Sequence, residues 1–173
     1  MSATPQHQPV VAAVYNHISN ADDAVARLLE AGFTKEQITV VCSEKAVEEH
    51  FREFDHQDPA GTHTPARAAI GGAIGMAIGG LVTLGVATAG GAVILGAGAL
   101  LSGAAGAVTG GLVGAMSARG IEKELADYYD QELTRGKILV AVEDTSDRRD
   151  QTIPLAEQIF IETGSEPVEL PEG

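Results

Sequence analysis

The chain between Arg67 and Arg119 reads AAIGGAIGMAIGGLVTLGVATAGGAVILGAGALLSGAAGAVTGGLVGAMSA, residues 68–118. No Asp, Glu, Lys, Arg or His occurs in this stretch, and it holds 15 of the 21 glycines of the chain. The segments on either side carry charges and apolar residues in the usual mixture. Residues 68–118, which we call the glycine-rich block, are therefore expected to be an insertion of a different structural kind.

Glycines recur at every fourth residue near both ends of the glycine-rich block. This spacing places them along one side of a helix. Because Gly costs roughly 1 kcal/mol relative to Ala inside a helix, such helices are expected only where backbones pack closely. The pattern predicts a helical hairpin over residues 67–119, with Gly90 and Gly91 at its turn and Arg67 and Arg119 as flanking charges. Its packing residues are Gly71, Gly75, Gly79, Gly106, Gly110 and Gly114.

Two environments fit this hairpin. Each arm is long enough to cross a bilayer core of ~30 Å, which would leave both termini in the cytoplasm. The alternative is the core of a soluble cytoplasmic homo-oligomer, because the block lacks the aromatic residues that are typical of membrane interfaces. Such a core could enclose a lipophilic ligand or dock a partner protein. The sequence leaves membrane lipid and a second copy of the chain open as partners.

The segment before the block predicts a β-α-β unit. A β-branched run over Val10 to Tyr15 indicates a strand, and Ile38 to Cys42 indicates a second. Between them, apolar residues at helical spacing predict a helix that Ser19 or Asn20 caps and that Gly32 ends. A short helix is expected over residues 44–54.

The segment after the block repeats this order. Residues 121–133 predict a helix that Gly136 ends, and residues 137–142 form the clearest strand pattern of the chain. A second helix is expected over residues 154–163 with Pro154 in its first turn, followed by a short strand over residues 167–170.

Together these elements predict an α+β fold, a ferredoxin-like split β-α-β domain with a four-stranded antiparallel sheet. Residues 1–54 and 120–173 form its halves, and residues 55–66 form a linker to the block. Val10 to Tyr15 and Ile138 to Val142 are apolar at successive positions, so both faces of these two strands need cover. The block, another subunit or the helix near Ile121 could cover the second face.

Composition excludes several classes of protein. The formal net charge is -13, with 11 Lys and Arg against 24 Asp and Glu, which argues against a nucleic-acid partner. A single cysteine forms no intramolecular disulfide, which favours a reducing compartment. The polar N-terminal residues lack the pattern of a secretory signal, so the expected location is cytoplasmic.

Candidate reactive residues are few. His50, His56 and His63 lie among acidic residues, but their spacing does not match a metal site, so no metal is predicted. Cys42 is expected to be a buried structural thiol. No nucleophile elbow or phosphate-binding loop occurs. We therefore expect a protein that is not an enzyme and that holds no cofactor.

Taken together, the chain resembles the heat-induced general stress proteins of the YflT type. The resemblance is carried by the two strand patterns before the block, the glycine spacing from Gly71 to Gly114, and residues 24–33, 124–129 and 136–142. It spans nearly the whole chain. It implies a small β-α-β domain interrupted by a glycine-zipper hairpin and a stress-associated role, and it implies no specific reaction.

Overall fold

The structure is a computed structural model that describes residues 10–43, 46, 86–89, 92–95, 113–114 and 116–166. The described part has an α+β fold with an antiparallel sheet. Its elements are, in chain order, β1 (Val10–Tyr15), α1 (Ile18–Glu30), a 3₁₀ turn (Lys35–Gln37), β2 (Ile38–Ser43), β3 (Val86–Ala89), β4 (Ala92–Leu95), α2 (Lys123–Thr134), β5 (Ile138–Glu143) and α3 (Arg149–Glu162).

The sheet has the strand order β1-β5-β2-β4-β3, and every neighbouring pair is antiparallel. β5 lies between β1 and β2, with Val142 opposite both Val11 and Ile38. All six residues of β5 are buried. The three strands predicted at residues 10–15, 38–42 and 137–142 are thus confirmed to within one residue at their ends.

One face of the sheet is covered by α1 and α3. α1 buries Ala21, Ala24, Val25 and Leu28, which recur at the spacing of a single helix face. From α3, Phe160 packs edge-on against the ring of Tyr15, with ring centroids 6.5 Å apart. The Tyr15 hydroxyl lies 2.8 Å from the Thr163 hydroxyl, and burial raises the pKa of Tyr15 to about 12. The hydroxyl of this core tyrosine therefore has a hydrogen-bond partner at the C-terminal end of α3.

The other face is covered by α2 and by the residues that precede it. Tyr129, Leu133 and Ile121 pack in one cluster with Met116 and with Val41 and Leu139 of the sheet. Of the three covers that the sequence left open for this face, the structure shows two, the helix near Ile121 and the C-terminal end of the glycine-rich block. Met116 belongs to the glycine-rich block by sequence, so the C-terminal end of the block forms part of the domain core.

The glycine-rich block also contributes two strands, and this corrects the prediction of two continuous helices. β3 and β4 lie at the positions predicted to flank the helical turn, and β4 pairs with β2, with Val93 opposite Cys42. The reason lies in local composition: β-branched residues on both sides of a Gly-Gly pair favour a β-hairpin, and the edge of β2 offers it unpaired backbone groups. Gly90 and Gly91 themselves lie outside the described residues. In the part of the chain that the structure describes, no helix is both long enough and apolar enough to span a membrane.

Two helix starts also differ from prediction. α1 begins at Ile18 after His17, ahead of the predicted caps Ser19 and Asn20. α3 begins at Arg149, so Pro154 lies inside the helix and cannot donate the backbone hydrogen bond of its turn. The first turn of α3 is stabilised by Asp144, which accepts hydrogen bonds from Ser146 N (2.8 Å) and Thr152 Oγ1 (2.5 Å).

The helix ends agree with prediction. Gly32 and Gly136, the predicted helix ends, follow α1 and α2 with φ values of 97° and 92°, and Gly164 follows the helix expected to end near residue 163, α3, with a φ of 80°. All three lie in the left-handed region that favours glycine at a helix end. The short helix expected over residues 44–54 and the strand expected over residues 167–170 lie outside the described residues, apart from Ala46, which is buried.

The pairing of β4 with β2 can be tested with a single substitution. Because Val93 and Cys42 are opposite each other, Val93→Cys is expected to form a disulfide with Cys42 under an added oxidant, since opposed antiparallel residues have Cα atoms ~4.5–5.5 Å apart. Ile94→Cys is the matched control, because neighbouring strand residues point to opposite faces. A disulfide in both variants, or in neither, would contradict the register. The readout is peptide mapping by mass spectrometry.

Candidate functional site

The predicted packing glycines fall largely outside the described residues. Gly71, Gly75, Gly79, Gly106 and Gly110 lie there, as does Arg67. Gly114 is described and exposed, and a Cβ built on it would meet no described atom within 4 Å. Any close packing against Gly114 therefore has to come from beyond the described part of this chain.

Arg119 has a role that its position as a flanking charge did not indicate. Its guanidinium pairs with the carboxylate of Glu143, whose side chain is 2% exposed at the end of β5. Glu143 Oε2 has no hydrogen-bond partner within the described residues, and neither does the buried Thr39 Oγ1. Because a buried carboxylate is costly without a nearby cation, Arg119 stabilises the junction between the glycine-rich block and the sheet.

A groove with a volume of about 450 Å³ follows the outer edge of β1, the edge that faces away from β5. Residues 10–13 of β1 form its floor. One wall comes from α2 and from Ile121, two residues before it. The other wall comes from α3, and the closed end comes from the chain after α3. In that order the residues are Ile121, Leu125, Tyr129, Ile153, Glu157, Phe160, Ile161, Ser165 and Glu166. The groove is mainly apolar, and a wall residue, Ile161, is 74% exposed.

The groove ends where Glu166 pairs with Val14 as an isolated antiparallel bridge, with Glu166 N donating to Val14 O at 2.9 Å. The Glu166 carboxylate accepts hydrogen bonds from Lys137 Nζ and Asn16 Nδ2. The hydrogen bond from Lys137 lowers the pKa of Glu166, and this outweighs the opposite effect of burial. Glu166 is therefore held as an anion at the edge of β1.

Lys137 joins this pair to a second, buried carboxylate. Its ammonium also contacts Glu132, which in turn pairs with Arg135. Burial by itself would lower the pKa of Lys137, but its bonds to Glu132 and Glu166 outweigh burial and raise it. The C-terminal end of α2 and the chain after α3 are thus linked through one cation.

Tyr129 contributes a hydrogen-bonding hydroxyl to the otherwise apolar α2 wall of the groove. Its hydroxyl donates a hydrogen bond to Ala12 O at 2.9 Å, and burial raises its pKa above the ordinary value. A protonated phenol with an apolar wall can orient a backbone or ligand carbonyl, but it is a poor base. The groove is thus equipped for binding an apolar chain or molecule.

The other predicted sites have separate outcomes. Cys42 is buried, as predicted, and burial raises its pKa to about 12, which disfavours the nucleophilic thiolate. His50, His56 and His63 lie outside the described residues. Among the described residues, no group of three or more His, Cys, Asp or Glu side chains could hold a metal ion.

Comparison with known proteins adds no counterpart: no family model, curated protein or solved structure matches the chain. The resemblance to YflT-type stress proteins therefore stays a prediction from sequence patterns. Sequence reasoning missed the groove and the Lys137–Glu166 pair. The available signal was a pair of opposite charges at the starts of two predicted strands, since Lys137 is the first residue of the strand predicted over 137–142 and Glu166 directly precedes the one predicted over 167–170.

The Arg119–Glu143 pair gives a stability prediction. Arg119→Met keeps much of the side-chain length but leaves a buried carboxylate unpaired, so we expect a loss of about 2–3 kcal/mol in the free energy of unfolding. The double variant Arg119→Met/Glu143→Leu removes the stranded charge and should recover most of this loss. Urea unfolding followed by circular dichroism measures both. Equal losses in the single and double variants would show that packing, rather than charge, is responsible.

The Glu166–Lys137 pair predicts a pH dependence. Because folding lowers the pKa of Glu166 below its ordinary value of 4.5, its contribution to stability is fully present above pH 4.5 and is lost as the pH falls through the lower, folded-state pKa. The carboxylate titration of Glu166, followed by NMR, should have its midpoint below 4.5. In Lys137→Met the midpoint should rise, whereas Lys35→Met serves as a control that leaves it unchanged. A midpoint unaffected by Lys137→Met would contradict the pair.

Proposed function

We propose that this chain is a non-enzymatic, stress-associated assembly protein in which the glycine-rich block joins copies of the chain to one another. The observation that carries the proposal is the attachment of the block to the folded domain at two places. The β3–β4 hairpin extends the sheet at β2, and Met116 lies in the core beneath α2. A contact between the block and another copy of the chain therefore also holds the folded domain to that copy.

Charge supports self-association through the block rather than through the rest of the domain. With a net charge of -13, the surfaces of two copies repel each other. The uncharged block is the part of the sequence that escapes this repulsion. Its glycine spacing supports close backbone approach between helices, and the residues expected to pack are Gly71, Gly75, Gly79, Gly106, Gly110 and Gly114.

We also infer that the segments flanking the block form the ferredoxin-like split β-α-β domain. The described order supports this, since β1 and β2 run parallel on either side of β5, with α1 and α3 on one face. In such a domain α2, the helix that follows the block, is additional to the two β-α-β units. It covers the second face of the sheet, which would otherwise need a partner. A cytoplasmic location goes with this function and is supported by the single cysteine of the chain, which cannot form an intramolecular disulfide.

Assembly through the block is tested by steric exclusion. Gly75→Leu and Gly110→Leu should weaken self-association at least tenfold, because a leucine side chain prevents close backbone approach. Ala77→Leu and Val108→Leu are matched controls, since each adds apolar bulk two residues away, on a different side of the expected helix. Sedimentation equilibrium and light scattering give the mass of each particle.

Three outcomes would overturn the proposal. A wild-type chain that is monomeric at all accessible concentrations would show that the block does not join copies. Equal weakening by the glycine variants and their controls would show that bulk alone matters. A membrane pellet that resists carbonate and dissolves only in detergent would assign the block to lipid instead.

A further inference from the structure

The outer edge of β1 has hydrogen-bonding groups that point into the groove. Val14 O accepts a hydrogen bond from Glu166 N, and Ala12 O accepts one from the Tyr129 hydroxyl. Because the peptide groups of alternate strand residues point to the same side, Val10 shares this orientation. The groove floor therefore offers the backbone groups of Val10 and Ala12 to an added strand.

We propose that the groove binds the chain's own C-terminal residues 167–171 as an edge strand antiparallel to β1. The bridge between Glu166 and Val14 sets the register. Continuing it places Val168 opposite Ala12 and Leu170 opposite Val10. At ~3.4 Å per residue, the run from Glu166 to Leu170 is ~14 Å, the same as the run from Val14 to Val10.

The prolines of this segment agree with the register. In it, the backbone N–H groups of Val168 and Leu170 point toward β1, as that of Glu166 does. Pro167 and Pro171 occupy the alternate positions, whose nitrogens point away from β1. Because proline lacks an N–H, it is accommodated in a strand where no ladder hydrogen bond is needed, which is the outer side of an edge strand. A register shifted by one residue would direct both prolines at β1.

The apolar residues of the segment agree with it as well. Residues opposite each other on antiparallel strands share a face of the sheet. Val10 and Val14 belong to the cluster on the α2 face, with Ala12 packed against it. Val168 and Leu170 are thereby assigned to the same face, where Ile121, Leu125 and Tyr129 form the groove wall. The small Ala12 side chain leaves room for Val168.

The α3 wall matches the alternate positions. Pro167, Glu169 and Pro171 are assigned to this side, where Ile161 is 74% exposed. Pro167 follows the bridge directly and is near enough in sequence to cover Ile161. The Tyr129 hydroxyl does not exclude the strand, because a carbonyl oxygen such as that of Ala12 accepts two hydrogen bonds.

The chain's own segment is favoured over a second copy by its attachment. Glu166 is held at the end of the groove by Lys137 and Asn16, so residues 167–171 start at the groove and bind at a high effective concentration. The consequence goes beyond the proposed assembly function and does not depend on it. A bound segment blocks pairing of other chains with β1, which removes one route to edge-to-edge aggregation.

A disulfide experiment tests occupant and register together. In the full chain with Cys42→Ala, the pair Ala12→Cys/Val168→Cys places the two cysteines opposite each other, with Cα atoms expected ~5.5 Å apart. We expect an intrachain disulfide at least tenfold more abundant than in the control Ala12→Cys/Glu169→Cys. Non-reducing gels and mass spectrometry distinguish crosslinks within a chain from crosslinks between chains.

Each contrary result overturns the proposal. A crosslink between chains would assign the groove to a second copy. Equal crosslinking in both pairs would show that the segment has no register, and absence of crosslinking in the first pair would show that it does not bind there.

Amide hydrogen exchange gives an independent readout without cysteines. The N–H groups of Val10 and Ala12 should exchange at least tenfold faster in Val168→Asp/Leu170→Asp than in the wild-type chain, and Glu169→Gln should leave them unchanged. Unchanged far-ultraviolet circular dichroism shows that the variants are folded. If the double variant leaves exchange unaltered, or if a lipophilic molecule that copurifies with it protects the same amides, the proposal is wrong.

Discussion

Burial of β5 on both faces is the constraint on which the rest of this structure depends. A strand whose first five residues, Ile138 to Val142, are all apolar exposes apolar area on one side unless both sides are covered. α1 and α3 cover one side, and α2 with Met116 covers the other. Because Met116 and the pairing of β4 with β2 come from the glycine-rich block, the core of the domain is incomplete without that block.

The same core accounts for the positions of two cations in this acidic chain, Arg119 and Lys137. Buried carboxylates require nearby positive charge, and Glu143 and Glu132 have it in Arg119 and Lys137. Lys137 also holds Glu166 against the edge of β1. Cations that neutralise interior carboxylates are not available to neutralise the surface, so the outer surface stays strongly negative. This is why we propose that copies of the chain associate through the uncharged part of the sequence.

Much of the described fold follows from local sequence patterns. The strands at residues 10–15, 38–43 and 138–143 are recognisable because runs of β-branched residues favour extended backbone. The helices end at Gly32, Gly136 and Gly164 because the backbone there has a positive φ, which favours glycine. The first residues of the helices were less predictable. Pro154 indicated a first turn, whereas Asp144, through Ser146 and Thr152, stabilises a start at Arg149. That interaction joins residues whose separation in sequence matches no capping pattern.

The sequence by itself determined the α+β class, the boundaries of the uncharged block and the need for cover on both faces of the central strands. These are properties of composition and periodicity, which act over a few residues. Only the tertiary structure decided that residues 86–89 and 92–95 pair as strands with β2, that α2 covers the second face, and that Arg119, Lys137 and Glu166 form ion pairs. Each of these depends on groups distant in sequence, such as the open edge of β2 or the carboxylate of Glu143, which become neighbours only when the chain has folded.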